Sequence, residues 1–145
     1  MTPDRELVTR KMTLIARDLD PLRAIHQKGE AAYAASVIDQ AVAERYLERM
    51  IGRMIDINYH LITESGDAPP ADYHASFTRL AELKVLEPDF AARIARSAGL
   101  RNRLVHEYDE IDARKLFDAL GSALDDVPAY LAAVNRWLER REVAQ

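Results

Sequence analysis

Cysteine is absent from the 145 residues, which excludes a disulfide framework and any thiolate-held metal. A reducing, cytoplasmic setting is therefore expected. No apolar run approaches the roughly 20 residues that cross a bilayer, and the opening MTPDRELVTRKMT lacks the apolar centre of a signal peptide. These absences predict a soluble protein with no membrane partner. Positive charge is not in excess either: the formal net charge is -4 and the pI near 5.6. A broadly cationic nucleic-acid binder is excluded, so any contact with RNA must come from a local cluster. Glycine is limited to five positions, and strand-like alternation is rare.

What is present is a hydrophobic content of 48%, with apolar residues recurring at three- and four-residue spacing. That pattern predicts an all-α helical bundle with one core, forming a single domain over residues 1–145. A first helix starts near Pro3, carries Leu7, Met12, Leu14, Ile15, Leu19, Leu22 and Ile25 inward, and should kink or break at Pro21. After a polar stretch around Gln27 to Glu30, a helix beginning before Ser36 or at Asp39 runs to about Glu64. Its apolar band is wide: Leu47, Ile51, Met54, Ile55, Asn58, Leu61 and Ile62, extended by Met50 and Ile57. Such a band fits the central helix of a bundle, with a subunit partner as a further neighbour. Gly66, Pro69 and Pro70 end it. Asp72 caps a shorter helix, Pro88 and Asp89 start the next, and Asp112 caps a long last helix interrupted or bent near Gly121 or Pro128.

The helix after Pro88 contains RNRLVHEY, Arg101 to Tyr108. Helical neighbours of Arg101 are Ile94, Leu104, Val105 and Tyr108, so a guanidinium interrupts an apolar stripe and should point inward or into a cleft. It cannot lose its proton, and burying it costs several kcal/mol unless a carboxylate, a carbonyl or a bound anion compensates. An internal ion pair with Asp56 or Glu48 is one solution. A bound phosphate is the other. His106 is either a surface or capping group or a proton-transfer group; Tyr108 is either core or functional. Together an arginine and a histidine supply what metal-free cleavage of an RNA phosphodiester requires: charge stabilisation at phosphorus and proton transfer at the 2′-hydroxyl or the leaving oxygen. No metal or other cofactor is called for. On an ideal helix Arg101 and His106 lie about 140° apart, so either the helix distorts or the cleft has a second wall from another element or subunit. Asn102 shares a face with His106 and could orient the imidazole or bind phosphate; an exposed polar role is the alternative.

Arg101, His106 and Tyr108 in RNRLVHEY, with RYLERMIGRMIDINYHLI, GDAPPADYHASFTRLAEL and LRNRLVHEYDEID around them, resemble the HepT-like branch of the HEPN superfamily, whose signature is R-x4-H-x-Y. The resemblance covers roughly residues 39 to 120. It implies a bundle of about five antiparallel helices, a homodimer with the motif helices meeting at a cleft between subunits, and a metal-independent endoribonuclease toxin. It further implies that Arg101 binds and stabilises the scissile phosphate and that His106 is the general base or acid. The partner implied is a nucleotidyltransferase antitoxin of the MNT type, which transfers AMP to Tyr108. Phosphates added beside Arg101 would repel an RNA backbone.

Other positions carry weaker signals. Asp56 and His60, four apart, suit a helical pair or a contact to the cleft. Asn58 interrupts apolar neighbours and suits a register-fixing hydrogen bond at an interface. Arg93, Arg96 and Arg103 suit local RNA attraction or a solvated face, while His26 and His74 carry no functional signal. Two rival functions remain beside the nuclease: a non-catalytic nucleotide-binding subunit of a nucleotidyltransferase pair, and a plain helical dimerisation domain.

Overall fold

The computed structural model describes residues 4–106 and 111–143. Seven helices account for most of them: α1 (Arg5–Gln27), α2 (Glu30–Ala35), α3 (Val37–Glu64), α4 (Tyr73–Glu82), α5 (Pro88–Ile94), α6 (Arg96–His106) and α7 (Ala113–Val143). No strand occurs among the described residues. α3 is the central member, packed against α1, α2, α4, α6 and α7. Its wide apolar band explains this: Leu47, Met50, Ile51, Met54, Ile57, Leu61 and Ile62 are all buried, and no single neighbour covers so broad a face.

Side-chain caps set the helix starts, at Asp72 and Asp112 as the sequence predicts and at Ser36 between the two starts it left open for α3. Ser36 accepts from the Asp39 amide at 3.1 Å, Asp72 from Ala75 at 2.7 Å, and Asp112 from Arg114 at 2.8 Å. α1 begins on Asp4, whose carboxylate accepts from the Leu7 amide at 3.1 Å. At the other end of α3, Gly66 adopts φ +90°, a conformation that side chains disfavour.

Two breaks allowed for in the sequence do not occur. α1 runs unbroken through Pro21 and α7 through Gly121 and Pro128. A proline inside a helix costs about 3 kcal/mol, yet Leu19, Leu22 and Ile25 flank Pro21 and Val127, Tyr130 and Val134 flank Pro128, all buried. Burial of each such side chain contributes about 1.5–3 kcal/mol, so tertiary packing outweighs the local cost. The helices number seven among the described residues rather than about five, because the stretch beginning at Glu30 folds as α2 around the buried Tyr33 and the helix after Pro88 divides at Ala95. The division gives one stretch two packing directions: α5 lies on α4, while α6 lies on α3 and α4.

Asn58 is fully buried within the chain's own core, a correction to its expected place at an interface. Its amide nitrogen donates to Ser76 Oγ at 3.1 Å, and its carbonyl oxygen accepts from the Tyr130 hydroxyl at 2.6 Å. One side chain thereby joins α3, α4 and α7, satisfying polar atoms whose burial would otherwise be costly. No described helix is long and apolar enough to cross a membrane.

Candidate functional site

Arg101 projects from α6 into an open cleft of about 570 Å³ between α3, α4 and α6. The α3 wall presents Glu48, Arg49, Gly52, Arg53, Ile55, Asp56 and Tyr59, and Tyr73 supplies the edge from the first turn of α4. Ala98 and Leu104, on either side of Arg101 along α6, are buried. The arginine is half-buried between them, held at the rim of the core by its own apolar helix face.

Its surroundings decide between the two solutions open to a half-buried guanidinium. Cζ of Arg101 sits 5.2 Å from the centroid of the Tyr73 ring, a cation–π contact that orients the charge without neutralising it. Nε of Arg101 is buried and has no hydrogen-bond acceptor among the described residues. Asp56 and Glu48 line the same cleft, but each is engaged elsewhere: Asp56 with Lys11 Nζ at 3.2 Å and Glu48 with Arg45 at 3.4 Å. Among the described residues no carboxylate pairs with Arg101. The guanidinium is thus oriented in the cleft by an aromatic ring and not by a carboxylate of the described residues.

His106 ends α6 with an exposed side chain and does not line this cleft. Asn102 is exposed as well, and among the described residues no hydrogen bond joins it to His106. One chain alone thus brings Arg101 to the cleft and leaves His106 at the neighbouring helix end. Tyr108 lies outside the described residues. Asp56 and His60 do not pair with each other: Asp56 holds Lys11, and His60 Nε2 accepts from the Asp4 amide at 3.0 Å. Arg93 is tied to Asp126 through both Nε and Nη2, at 3.4 and 3.1 Å. Arg96 and Arg103 are exposed on α6. His26, without a functional signal in the sequence, stacks on Phe117 at 4.6 Å and fixes α1 against α7.

Several cleft residues go unsignalled by the sequence reading above. Arg49 and Arg53 face the cleft, one helical turn apart on α3, and both reach the buried carboxylate of Asp18 on α1, at 3.5 and 2.8 Å. Asp18 lies between Ile15, Leu19 and Leu22, so a charge interrupting an apolar stripe, the same signal that singles out Arg101, would have found it. Tyr59 meets Tyr73 edge-on, ring centroids 6.2 Å apart. Partial burial, the neighbouring Tyr73 and the Asp72 carboxylate all push the Tyr59 hydroxyl above the usual tyrosine range. It stays a neutral donor. Among the described residues no group of three or more His, Asp or Glu side chains is arranged to hold a metal ion.

Known proteins share this geometry's frame. The family described as Ribonuclease HepT-like matches residues 15–134. A tRNA nuclease HepT of Aphanizomenon flos-aquae is 35% identical over 132 residues, 91% of this chain and 90% of that protein. The fold is similar to a tri-AMPylated Shewanella oneidensis HEPN toxin solved in complex with an MNT antitoxin, with a TM-score of 0.83, 20% identity and coverage of 91% and 98% of the two chains. It is similar also to the cytosolic protein YutE of Bacillus subtilis, with a TM-score of 0.83, 17% identity and coverage of 97% and 95%. The family match spans most of the chain and the relative from Aphanizomenon flos-aquae is covered over nine-tenths of its length: the chain belongs to the Ribonuclease HepT-like family.

Proposed function

We propose that this chain is a metal-independent endoribonuclease, the toxin of a two-gene toxin–antitoxin pair, acting in the cytoplasm as one helical domain over residues 1–145. The observation that carries the reading is the Arg101 guanidinium, aimed into the cleft with a buried, acceptor-less Nε while the nearby carboxylates are engaged elsewhere. In the reaction, His106 as general base takes the proton from a ribose 2′-hydroxyl. The 2′-oxygen attacks phosphorus, the bond to the 5′-oxygen breaks, and that oxygen takes a proton from water as it leaves, with protonated His106 returning its own proton to solvent. Arg101 holds the negative charge on the equatorial oxygens, a role worth several kcal/mol in a water-poor site. Products are a 2′,3′-cyclic phosphate and a 5′-hydroxyl.

Because His106 lies outside the cleft that holds Arg101 within one chain, the working site requires a second copy whose α6 forms the opposite wall. Asn102 then serves as a supporting polar group. The RNA is a tRNA, the substrate named for the relative from Aphanizomenon flos-aquae. The partner is a nucleotidyltransferase antitoxin of the MNT type that transfers AMP to Tyr108, filling the cleft with phosphate charge beside Arg101.

Bulk tRNA incubated with the purified chain in excess chelator is the direct test. Cleavage by the wild type, lost in Arg101→Ala and His106→Ala while both variants keep the wild-type circular dichroism, is the expected result. Cleavage equal in all three sinks the assignment. The exposure of His106 favours one other reading, a nucleotide-binding subunit without catalysis, which predicts no cleavage by any of them. For Tyr108, intact mass after co-expression with the antitoxin should rise by one or more AMP units and stay unmodified in Tyr108→Phe.

A further inference from the structure

The nuclease reading uses Arg101 and leaves the cationic part of the α3 wall of the same chain unexplained. Arg49 and Arg53 stand four residues apart on the same face of α3, where like charges ordinarily repel. Asp18 of α1 divides its carboxylate between them: Oδ1 lies 3.5 Å from Arg49 Nη2, and Oδ2 lies 2.8 Å from Arg53 Nη1. The carboxylate is only 4% exposed, so solvent screens it little and both guanidiniums are held in place. One negative charge against two positive ones leaves a cationic excess on the cleft side. The other carboxylates facing the cleft do not cancel it, since Asp56 is paired with Lys11 and Glu48 with Arg45. A strut between α1 and α3 needs one arginine. The second, Arg49, keeps a side chain 37% exposed and rests over the Tyr46 ring at 5.1 Å. Between the two, Gly52 has no heavy atom within 4 Å of where a Cβ would stand, so a bulky oxyanion can approach the backbone there.

We infer that Arg49 and Arg53, positioned by Asp18, form a second phosphate subsite facing Arg101, taking a phosphodiester of the RNA strand next to the one that is cleaved. The inference rests on the nuclease reading and extends it from a single scissile phosphate to a two-phosphate footprint. Forked guanidiniums suit this task because they bind two phosphate oxygens at once. Pre-orientation by a buried carboxylate removes much of the ordering cost of two long side chains.

The test is fluorescence anisotropy of a labelled single-stranded RNA oligonucleotide carrying 2′-O-methyl groups throughout, which cannot be cleaved, titrated with the full chain over a range of salt. Arg53→Lys keeps the charge and loses the fork; it should weaken binding about tenfold. Arg49→Gln with Arg53→Gln should also flatten the salt dependence, by about 0.7 in log–log slope for each phosphate left without its arginine. Asp18→Asn separates a built subsite from general attraction. It removes a negative charge, so attraction alone predicts tighter binding, whereas poorer positioning predicts weaker binding. Thermal unfolding of each variant checks that it is folded, and Arg53→Lys leaves the buried carboxylate paired. Wild-type affinity and slope in the arginine variants, or tighter binding by Asp18→Asn, overturns the subsite and leaves the nuclease reading standing. Failure of the wild type to bind overturns both.

Discussion

Arg101 and Tyr73 meet across the cleft mouth, the guanidinium carbon 5.2 Å from the ring centroid. An aromatic face gives a cation direction at a cost its charge does not bear, whereas a carboxylate partner would have quenched it. Tyr73→Leu should therefore lower the rate of tRNA cleavage by roughly five- to thirtyfold, since a cation–π pair of this kind is worth about 1–2 kcal/mol when partly desolvated. Tyr73→Phe, which keeps the ring, should retain most activity. Tyr73 is 38% exposed, so the melting temperature of either variant should stay near that of the wild type. Initial rates with thermal melts check both halves.

Gly52 sits inside a 28-residue helix and opens onto the cleft with nothing near its missing Cβ. Gly52→Ala should raise stability by up to about 1 kcal/mol through helix propensity, measured by urea unfolding, while the new methyl group narrows the phosphate path and weakens RNA binding in the anisotropy assay. Gly121 differs, since a Cβ there would come within 3.0 Å of His26 Nε2.

The Asn58–Tyr130 hydrogen bond can be isolated by a double-mutant cycle. Asn58→Leu removes the partner that Ser76 and the Tyr130 hydroxyl share, but each hydroxyl still donates to a carbonyl, of Tyr73 and of Met54, so the cost should be about 1 kcal/mol for the hydrogen bond itself. Tyr130→Phe should cost about 1 kcal/mol. The pair should cost less than the sum, because removing both ends leaves fewer buried groups unmet. Additive urea-unfolding values would argue against the bond.

Alkaline pH should unfold the protein steeply. Burial pushes the Tyr130 hydroxyl well above the usual tyrosine range, and burial with the nearby Glu44 and Asp39 carboxylates pushes Tyr33 up as well. In the unfolded chain both ionise near pH 10. Above that pH the unfolded state has lost protons that the folded state keeps, so stability is intact below about pH 10 and falls as pH rises further. With both groups titrating, the slope approaches about 2.7 kcal/mol per pH unit. Denaturant midpoints between pH 9 and 11 measure it, and Tyr33→Phe should halve the slope.

Much of this architecture is legible before any coordinates. Asp72, Pro88 and Asp112 mark helix starts because each supplies a local hydrogen bond or a preset backbone angle, and local chemistry survives folding; the cap at Ser36 is not singled out, because Asp39 offers the same local signal. Pro21 and Pro128 mislead because their cost is local while the packing that overrides it is not. α2 is hidden by its brevity: six residues carry too little periodicity to register. At the site, Arg101 announces itself by breaking an apolar stripe, which says that it points inward or into a cleft but not which of the two. Its neighbours are not readable, because Tyr73 arrives from a separate helix and the link from Asp18 to Arg53 spans 35 positions. The placement of Asn58 in the core instead of at an interface reflects the same limit: a buried amide shows in the pattern, but which surface buries it does not.

The interruption at Ala95 has a mechanical consequence. α5 is fastened to α7 by the forked contact of Arg93 with Asp126, whereas α6 is seated on α3 and α4. The bearing of Arg101 is thus set by where α6 rests on α3 and α4, whereas the tie of Arg93 to Asp126 governs only the preceding segment.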